Sequence, residues 1–166
     1  MKKEFLKDLC LSRGSEEVRN FLSLHDENLT LEKVWQLMDS AWDSLDCDNT
    51  KLDLDKINKF YQHPVWILNA LFIEQHDLSM QHRWSIAKWI DGNKDSIKHI
   101  IDYGGGMGVL AKTVASQNRN FCVDIYEPYP NEIALAYVTN NPEIRYINKL
   151  EKIIMIVLSA PMYSNM

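Results

Sequence analysis

A short stretch in the second half of the chain combines one acid with four glycines. Asp102 precedes Gly104, Gly105, Gly106 and Gly108, so the pattern is Asp-x-Gly-x-Gly-x-Gly. Glycine lets a backbone turn sharply and approach a ligand closely, because it has no Cβ. An apolar run precedes the glycines and a helix-forming run follows them, and the start of such a helix offers free backbone N–H groups. These residue types in this order predict a loop that binds a polar cofactor.

A second acid ends the next apolar run, which covers residues 121–127. Glu127 would follow a strand, where a carboxylate can accept hydrogen bonds from both hydroxyls of a ribose. Asp124 is the competing acid, but it lies three residues earlier in the run. Because side chains alternate along a strand, Asp124 falls on the other face. Glu127 is therefore the candidate ribose ligand.

The order of acid and glycines resembles motif I of the class I S-adenosylmethionine-dependent methyltransferases. Glu127-Pro128 is also similar to the Glu-Pro pair that several of their subgroups carry at this point. The resemblance covers about residues 97–152. It implies that the acid lies near the methionine moiety and its amino group, while the glycines line the cofactor and Tyr129 lies against the adenine. The residues expected to bind S-adenosyl-L-methionine are Asp102, Tyr103, Gly104, Gly105, Gly106, Gly108, Glu127, Pro128 and Tyr129.

Two other functional classes stay open. The dinucleotide fingerprint Gly-x-Gly-x-x-Gly requires a glycine at position 109, where this sequence has Val109. That residue disfavours an NAD(P)- or nucleotide-binding Rossmann protein, although Glu127 would suit one. The third class is a non-catalytic helical interaction module with a degenerate Rossmann remnant. The sequence identifies neither a catalytic base nor the methyl acceptor, for which we favour a small molecule.

These candidate residues require a parallel sheet to position them. From residue 96 onward, β-prone and helical runs alternate, which is typical of a parallel α/β sheet. We predict strands over 97–103, 121–127, 144–147 and 153–158, and helices over 109–116 and 131–140. The predicted fold class is therefore α/β: a helical N-terminal region, 1–95, followed by the first half of a Rossmann-like methyltransferase sheet, 96–166.

The N-terminal region shows helical periodicity. Helices are predicted after Thr30, from Pro64 and after Ser79, and the last should stop at residues 91–93. Trp35, Met38 and Trp42 share one stripe of the first of these helices and are expected in the core. A cluster of polar and aromatic residues is expected where this cap meets the cofactor region, with a packing role favoured over contact with substrate. Its members are Tyr61, His63, Trp66 and Asn69.

The C-terminal residues depart from the family pattern. In the family, the fourth strand begins with an aromatic-Asp pair and ends in Asp-Val-Leu-Glu-His, and residues 152–166 contain neither. Reading the last base of each codon with the first two of the next allows Tyr-Asn-Asp-Cys-Ile-Val-Cys-Thr-Asp-Val-Leu-Glu-His across residues 153–166. We therefore expect a frameshift near codons 152–153 and a truncated chain that is inactive or needs a partner chain. Its fourth strand would be a bare edge open to self-association.

Composition narrows the remaining classes. The 166 residues carry a net charge of -5, which argues against a general nucleic-acid binder. The three cysteines are widely spaced and suit a reduced, cytoplasmic protein. The longest apolar runs are far shorter than the roughly 20 residues that span a membrane. His76 and His82, beside Glu74 and Asp77, match no metal-ligand spacing, so no metal site is expected.

Overall fold

A computed structural model describes residues 5–25, 28–97 and 99–150, and the backbone of residues 156–159. The described residues form eight α-helices and four β-strands, so the fold is mixed α/β. The helices that precede the sheet are α1 (Phe5–Arg13), α2 (Glu16–His25), α3 (Leu31–Ser44), α4 (Leu54–Gln62), α5 (Val65–Gln75) and α6 (Asp77–Gly92). The elements that follow are β1 (His99–Tyr103), α7 (Val109–Gln117), β2 (Cys122–Tyr126), α8 (Glu132–Val138), β3 (Ile144–Ile147) and β4 (Ile156–Ser159).

Local capping sets the starts of the helices. The Thr30 hydroxyl accepts a hydrogen bond from the Lys33 N–H at 3.2 Å, and it begins α3 as predicted. Pro64 precedes α5 with a φ of -56°, which suits a first helical turn. The helix predicted after Ser79 begins earlier, at Asp77, because the His76 ring accepts from the Ser79 N–H and serves as the cap. Helices α1, α2 and α4 lie in the region predicted to be helical, but their bounds were not predicted.

The four strands form one parallel sheet in the order β3-β2-β1-β4. In the register of β1 and β2, Ile101 lies opposite Asp124 and Asp102 lies opposite Ile125. The two aspartates therefore sit on neighbouring strands but point to opposite faces of the sheet. Because all strands run the same way, their carboxyl ends meet at one edge, which we call the carboxyl edge. The residues that follow β1, β2 and β3 are brought together there.

One hydrophobic core joins the helical region to the sheet. Helix α6 packs along α7, while α7 and α8 contact the sheet. Fully buried side chains from both regions belong to this core, among them Leu6, Ile67, Ile90, Val114 and Ile133. The division at residue 95 stays a prediction.

A second, smaller core lies between α3, α4 and α5, and it corrects one expectation. Ala41, Phe60 and Val65 form its buried centre, with Met38 and Trp42 packed against them. Trp35 was predicted to lie in the core, but it is 40% exposed. Consecutive residues of a helix are rotated by about 100° about its axis. The side chain next to the buried Val34 therefore points largely to solvent.

The outer edge of β4 pairs with no strand among the described residues. The frameshift prediction concerns residues 153–166, which lie outside the described residues except for the backbone of β4. Among the residues that the structure describes, no helix has both the length and the apolar character needed to cross a membrane.

Candidate cofactor-binding site

The glycine loop between β1 and α7 uses backbone conformations that favour glycine. The φ angles of Gly104, Gly106 and Gly108 are 67°, 52° and 78°. The Gly104 N–H donates to the carbonyl of Tyr126 at 2.9 Å, which ties the loop to the end of β2. A Cβ added at Gly104 or Gly106 would meet no atom within 4 Å. The outer side of the loop is therefore open for close approach by a ligand.

Asp102 lies directly beneath this loop. Its side chain is 1% exposed, and neither carboxylate oxygen has a hydrogen-bond partner in the described part of the chain. A Cβ added at Gly105 would lie 2.6 Å from the Asp102 Cγ, so only glycine leaves room for this carboxylate. Burial raises the pKa of Asp102 to about 7, although the charge of the Arg83 guanidinium and the nearby Ala111 N–H, which does not meet hydrogen-bond geometry, act in the opposite direction. The site therefore contains a buried acid without a counter-group at hydrogen-bonding distance.

Glu127 follows β2 and lies beside the loop. Its Oε1 accepts a hydrogen bond from the Tyr129 N–H at 3.3 Å. Burial raises the pKa of Glu127, while the N–H groups of Tyr129 and Gly106 partly offset that rise. The carboxylate borders a cleft of about 470 Å³ at the carboxyl ends of β2 and β3. The cleft is lined by Glu127, Pro128, Pro130, Tyr146, Ile147, Asn148 and Lys149.

The structure places all nine predicted cofactor residues at the carboxyl edge, in different environments. Tyr103 ends β1, is 46% exposed and stacks on Tyr126 with ring centroids 4.9 Å apart. Pro128 is exposed and lines the cleft, whereas Tyr129 is partly buried. The glycines and Asp102 form the floor beside β1, and Glu127 lies at the end of β2.

Two residues that sequence reasoning missed complete the site. The Tyr146 hydroxyl, on β3, donates to the carbonyl of Gly106 at 2.8 Å and holds the loop from below. Arg83, on α6, contributes a positive charge near Asp102. Each is distant in sequence from the loop it serves, and no short spacing links either to the glycines. The only available signals were a tyrosine in a predicted strand and an arginine on a predicted helix.

A second polar cluster lies at the opposite, amino-terminal end of the strands. The donor atoms of His99, Cys122 and Asp124 lie within 4.8 Å of one another, a grouping that could in principle hold a metal. However, Arg145 binds both oxygens of Asp124, and His99 Nε2 lies 2.7 Å from Asp124 Oδ2. Burial and the neighbouring Asp124 charge also raise the pKa of the Cys122 thiol, which disfavours a thiolate ligand. We assign this cluster to strand pairing.

Of the two histidines weighed as metal ligands in the sequence, His76 has a local structural role. His76 Nδ1 lies 2.8 Å from the Ser79 hydroxyl at the start of α6. Its ring therefore serves the helix cap.

Comparisons with known proteins give no match. No family model matches the chain, and neither the curated proteins nor the solved structures include one that does. A buried carboxylate without a partner, an open glycine cradle and an acid at the next strand end fit a ligand that carries a cationic group and a ribose.

Proposed function

We propose that this protein binds S-adenosylmethionine and is an S-adenosylmethionine-dependent methyltransferase. The observation that carries the proposal is the buried carboxylate of Asp102 beneath the glycine loop, which has no hydrogen-bond partner among the described residues. An unpaired charge in such a place costs free energy unless a cation approaches it. S-adenosylmethionine carries an ammonium and a sulfonium group, so it would supply the missing positive charge.

The other residues of the site would each contact a different part of the cofactor. The open side of Gly104 and Gly106 would receive its methionine part, while Glu127 would accept hydrogen bonds from the ribose hydroxyls. The cleft beside Asn148 and Lys149 would hold the adenine. The bound cofactor supplies an electrophilic methyl group. These residues would bind and orient it, and in a displacement between two held reactants orientation contributes a large share of the barrier reduction.

The runner-up is a nicotinamide- or nucleotide-binding protein, because Glu127 suits a ribose equally well. Two observations make it the weaker candidate. Val109 stands where the dinucleotide fingerprint has a glycine, and its side chain is 4% exposed, packed into the core. In addition, a pyrophosphate on this loop would place negative charge above the ionised Asp102, which is repulsive.

The test is a calorimetric titration of the purified chain at pH 8 with S-adenosylhomocysteine, NAD and ATP. We expect S-adenosylhomocysteine to bind and the other two to bind at least tenfold more weakly. Asp102→Asn should weaken S-adenosylhomocysteine binding by about 10- to 100-fold, because a hydrogen bond to a charged group contributes about 1.5–3 kcal/mol. Asp124→Asn is the matched control, since it removes an equally buried acid at the other end of the strands.

The outcomes separate the three functional classes. Preferential binding of NAD or ATP would replace this proposal with the runner-up. Binding of none of the three ligands would favour a non-catalytic helical module. Equal effects of the two aspartate substitutions would remove Asp102 as the basis of the proposal.

A further inference from the structure

Three aromatic rings connect the helical region to the loop that carries Glu127. Trp66, at the start of α5, stacks on Tyr61 with ring centroids 5.2 Å apart and planes 22° apart. Tyr61, in the last turn of α4, in turn faces Tyr129 at 6.1 Å and 19°. Tyr129 is the residue whose N–H donates to Glu127. The stack therefore runs from the helical region to the acid proposed to bind ribose.

The helical end of this stack is firmly held. The Trp66 indole N–H donates to the carbonyl of Phe60 at 3.0 Å. The Phe60 ring lies edge-on to Trp66 at 5.5 Å and edge-on to Trp42 at 5.0 Å, within the smaller core. Tyr61 therefore rests on a fixed support. Tyr61 has two stacked neighbours: Trp66 on the helical side and Tyr129, in the loop after β2, on the other side.

Electrostatics agree with this geometry. Burial raises the pKa of Tyr61, and the negative charge of Glu127 raises it further. The phenol consequently lies close enough to the carboxylate to sense its charge, although the two belong to different regions of the chain. If the Tyr61 ring only filled the core between helices, it would not need to lie beside Tyr129 at the carboxyl edge.

We propose that Tyr61 is a positioning residue of the cofactor site, holding Tyr129 and Glu127 in the arrangement that binds an adenosine moiety. This inference rests on the proposed function and extends it, because it makes the helical region part of the site. Aromatic pairs in offset stacks contribute beyond their buried area. Removing the Tyr61 ring therefore removes the contact that the helical region makes with the Tyr129 ring.

The experiment compares two ligands against a small set of variants. Adenosine and S-adenosylhomocysteine are titrated into the wild-type chain, Tyr61→Phe, Tyr61→Leu, Tyr61→Ala and Asp102→Asn, at a temperature where each is folded. We expect Tyr61→Ala and Tyr61→Leu to weaken both ligands by the same factor, about tenfold, and Tyr61→Phe to stay within about twofold of wild type. Asp102→Asn should weaken S-adenosylhomocysteine alone, because adenosine lacks the amino group.

Trp42→Leu is the control for a purely structural effect. Trp42 packs on the Phe60 ring in the same aromatic core, but it contributes no ring to the stack that ends at Tyr129. The hydrogen bond that holds Trp66 goes to the Phe60 carbonyl, which this substitution leaves in place. Its substitution should change neither affinity by more than about twofold. If Tyr61→Leu binds adenosine as tightly as Trp42→Leu does, the positioning role is overturned and the proposed function stands. If the wild-type chain binds neither ligand, the proposed function itself is overturned, and this inference with it.

Discussion

Two buried aspartates on neighbouring strands have opposite environments. Asp102 on β1 is 1% exposed and Asp124 on β2 is 3% exposed. No hydrogen-bond partner for Asp102 is found among the described residues, and burial raises its pKa to about 7. The pKa of Asp124 is also raised by burial, but the hydrogen bonds from Arg145 and His99 outweigh that effect and hold it below the usual value. Two acids of similar exposure therefore have opposite pKa shifts, because Asp124 has hydrogen-bond partners that Asp102 lacks.

The difference separates an acid with a structural role from one that is a candidate for function. Asp124 stabilises the amino-terminal end of the sheet because its partners compensate its charge within the fold. Asp102 destabilises the free protein whenever it is ionised, and nothing described in the fold offsets this fully. A buried group that is costly to the fold is expected at sites where a ligand supplies the compensation. The carboxyl edge, rather than the His99–Asp124 cluster, is therefore the candidate site.

The largest expected effect is the pH dependence of stability that Asp102 imposes. Its pKa is raised on folding, so the folded chain binds the proton more tightly than the unfolded chain, and stability falls as pH rises from about 4 to about 7. With a shift from 3.8 to about 7, this fall amounts to about 4 kcal/mol. We expect urea unfolding at pH 4 to 8 to show a fall in the wild-type chain that Asp102→Asn reduces by about this amount, since the raised pKa of Glu127 contributes to the fall in both proteins. Parallel pH profiles for the two proteins would contradict the assignment of Asp102 as an unpaired acid.

Asp124 should show the opposite sign. Its folded pKa is lowered, so its stabilisation is present above the unfolded pKa and is lost as pH falls through the folded value. Asp124→Asn should lower the free energy of unfolding at pH 7 by about 2 kcal/mol, since hydrogen bonds to charged groups contribute about 1.5–3 kcal/mol each before partial compensation. Arg145→Gln is the companion variant. The Arg145 side chain is 62% exposed, but the Asp124 side chain that it binds is 4% exposed. Removing both Arg145 hydrogen bonds leaves a buried carboxylate partly uncompensated, so we expect a loss of similar size, about 1–3 kcal/mol. A more stable Asp124→Asn variant at pH 7 would refute the structural role.

The sequence predicted the positions of these acids better than their environments. The spacing of acid, glycines and second acid located Asp102 and Glu127, because a strand–helix–strand unit fixes where both acids lie along the chain. Sequence spacing also placed Asp124 on the other face of the strand. It could not show that Arg145 would neutralise Asp124, or that Tyr146 would hold Gly106. Those contacts depend on the register between β2 and β3 and on how β3 lies beneath the loop.

In the helical region too, local features were predictable from sequence, whereas packing between distant elements was not. Capping residues such as Thr30 and Pro64 act locally and were predictable from sequence. The burial of Trp35 depended on which face of α3 meets α5, and the stripe of apolar residues was too broad to decide it. Two members of the predicted cluster, Tyr61 and Trp66, stack on each other, whereas the His63 ring lies against Phe21. The contact of Tyr61 with Tyr129 could not be predicted, because it depends on how α4 lies beside the loop after β2.

A further expected effect tests whether Gly105 leaves the space that Asp102 occupies. Gly105→Ala places a methyl group 2.6 Å from the Asp102 Cγ and 2.9 Å from Ile125 Cγ2. Such overpacking costs about 1–3 kcal/mol. Gly92→Ala, at the end of α6, meets no atom within 4 Å. This second substitution should instead stabilise the chain by about 0.5–1 kcal/mol. Chemical denaturation of the two variants measures the free energy of unfolding, which should fall for Gly105→Ala and rise for Gly92→Ala.

A double variant, Gly105→Ala with Asp102→Ala, tests whether the destabilisation by Gly105→Ala comes from contact with the Asp102 carboxylate. Removing the Asp102 carboxyl group clears the nearer of the two contacts, so the cost of Gly105→Ala should fall by at least about half in that background. Residues in contact show such coupling, whereas independent sites add. Full additivity would mean that the alanine clashes with Ile125 alone. In that case the glycine would be required by the sheet rather than by the acid, and the contrast between Asp102 and Asp124 would lose its steric support.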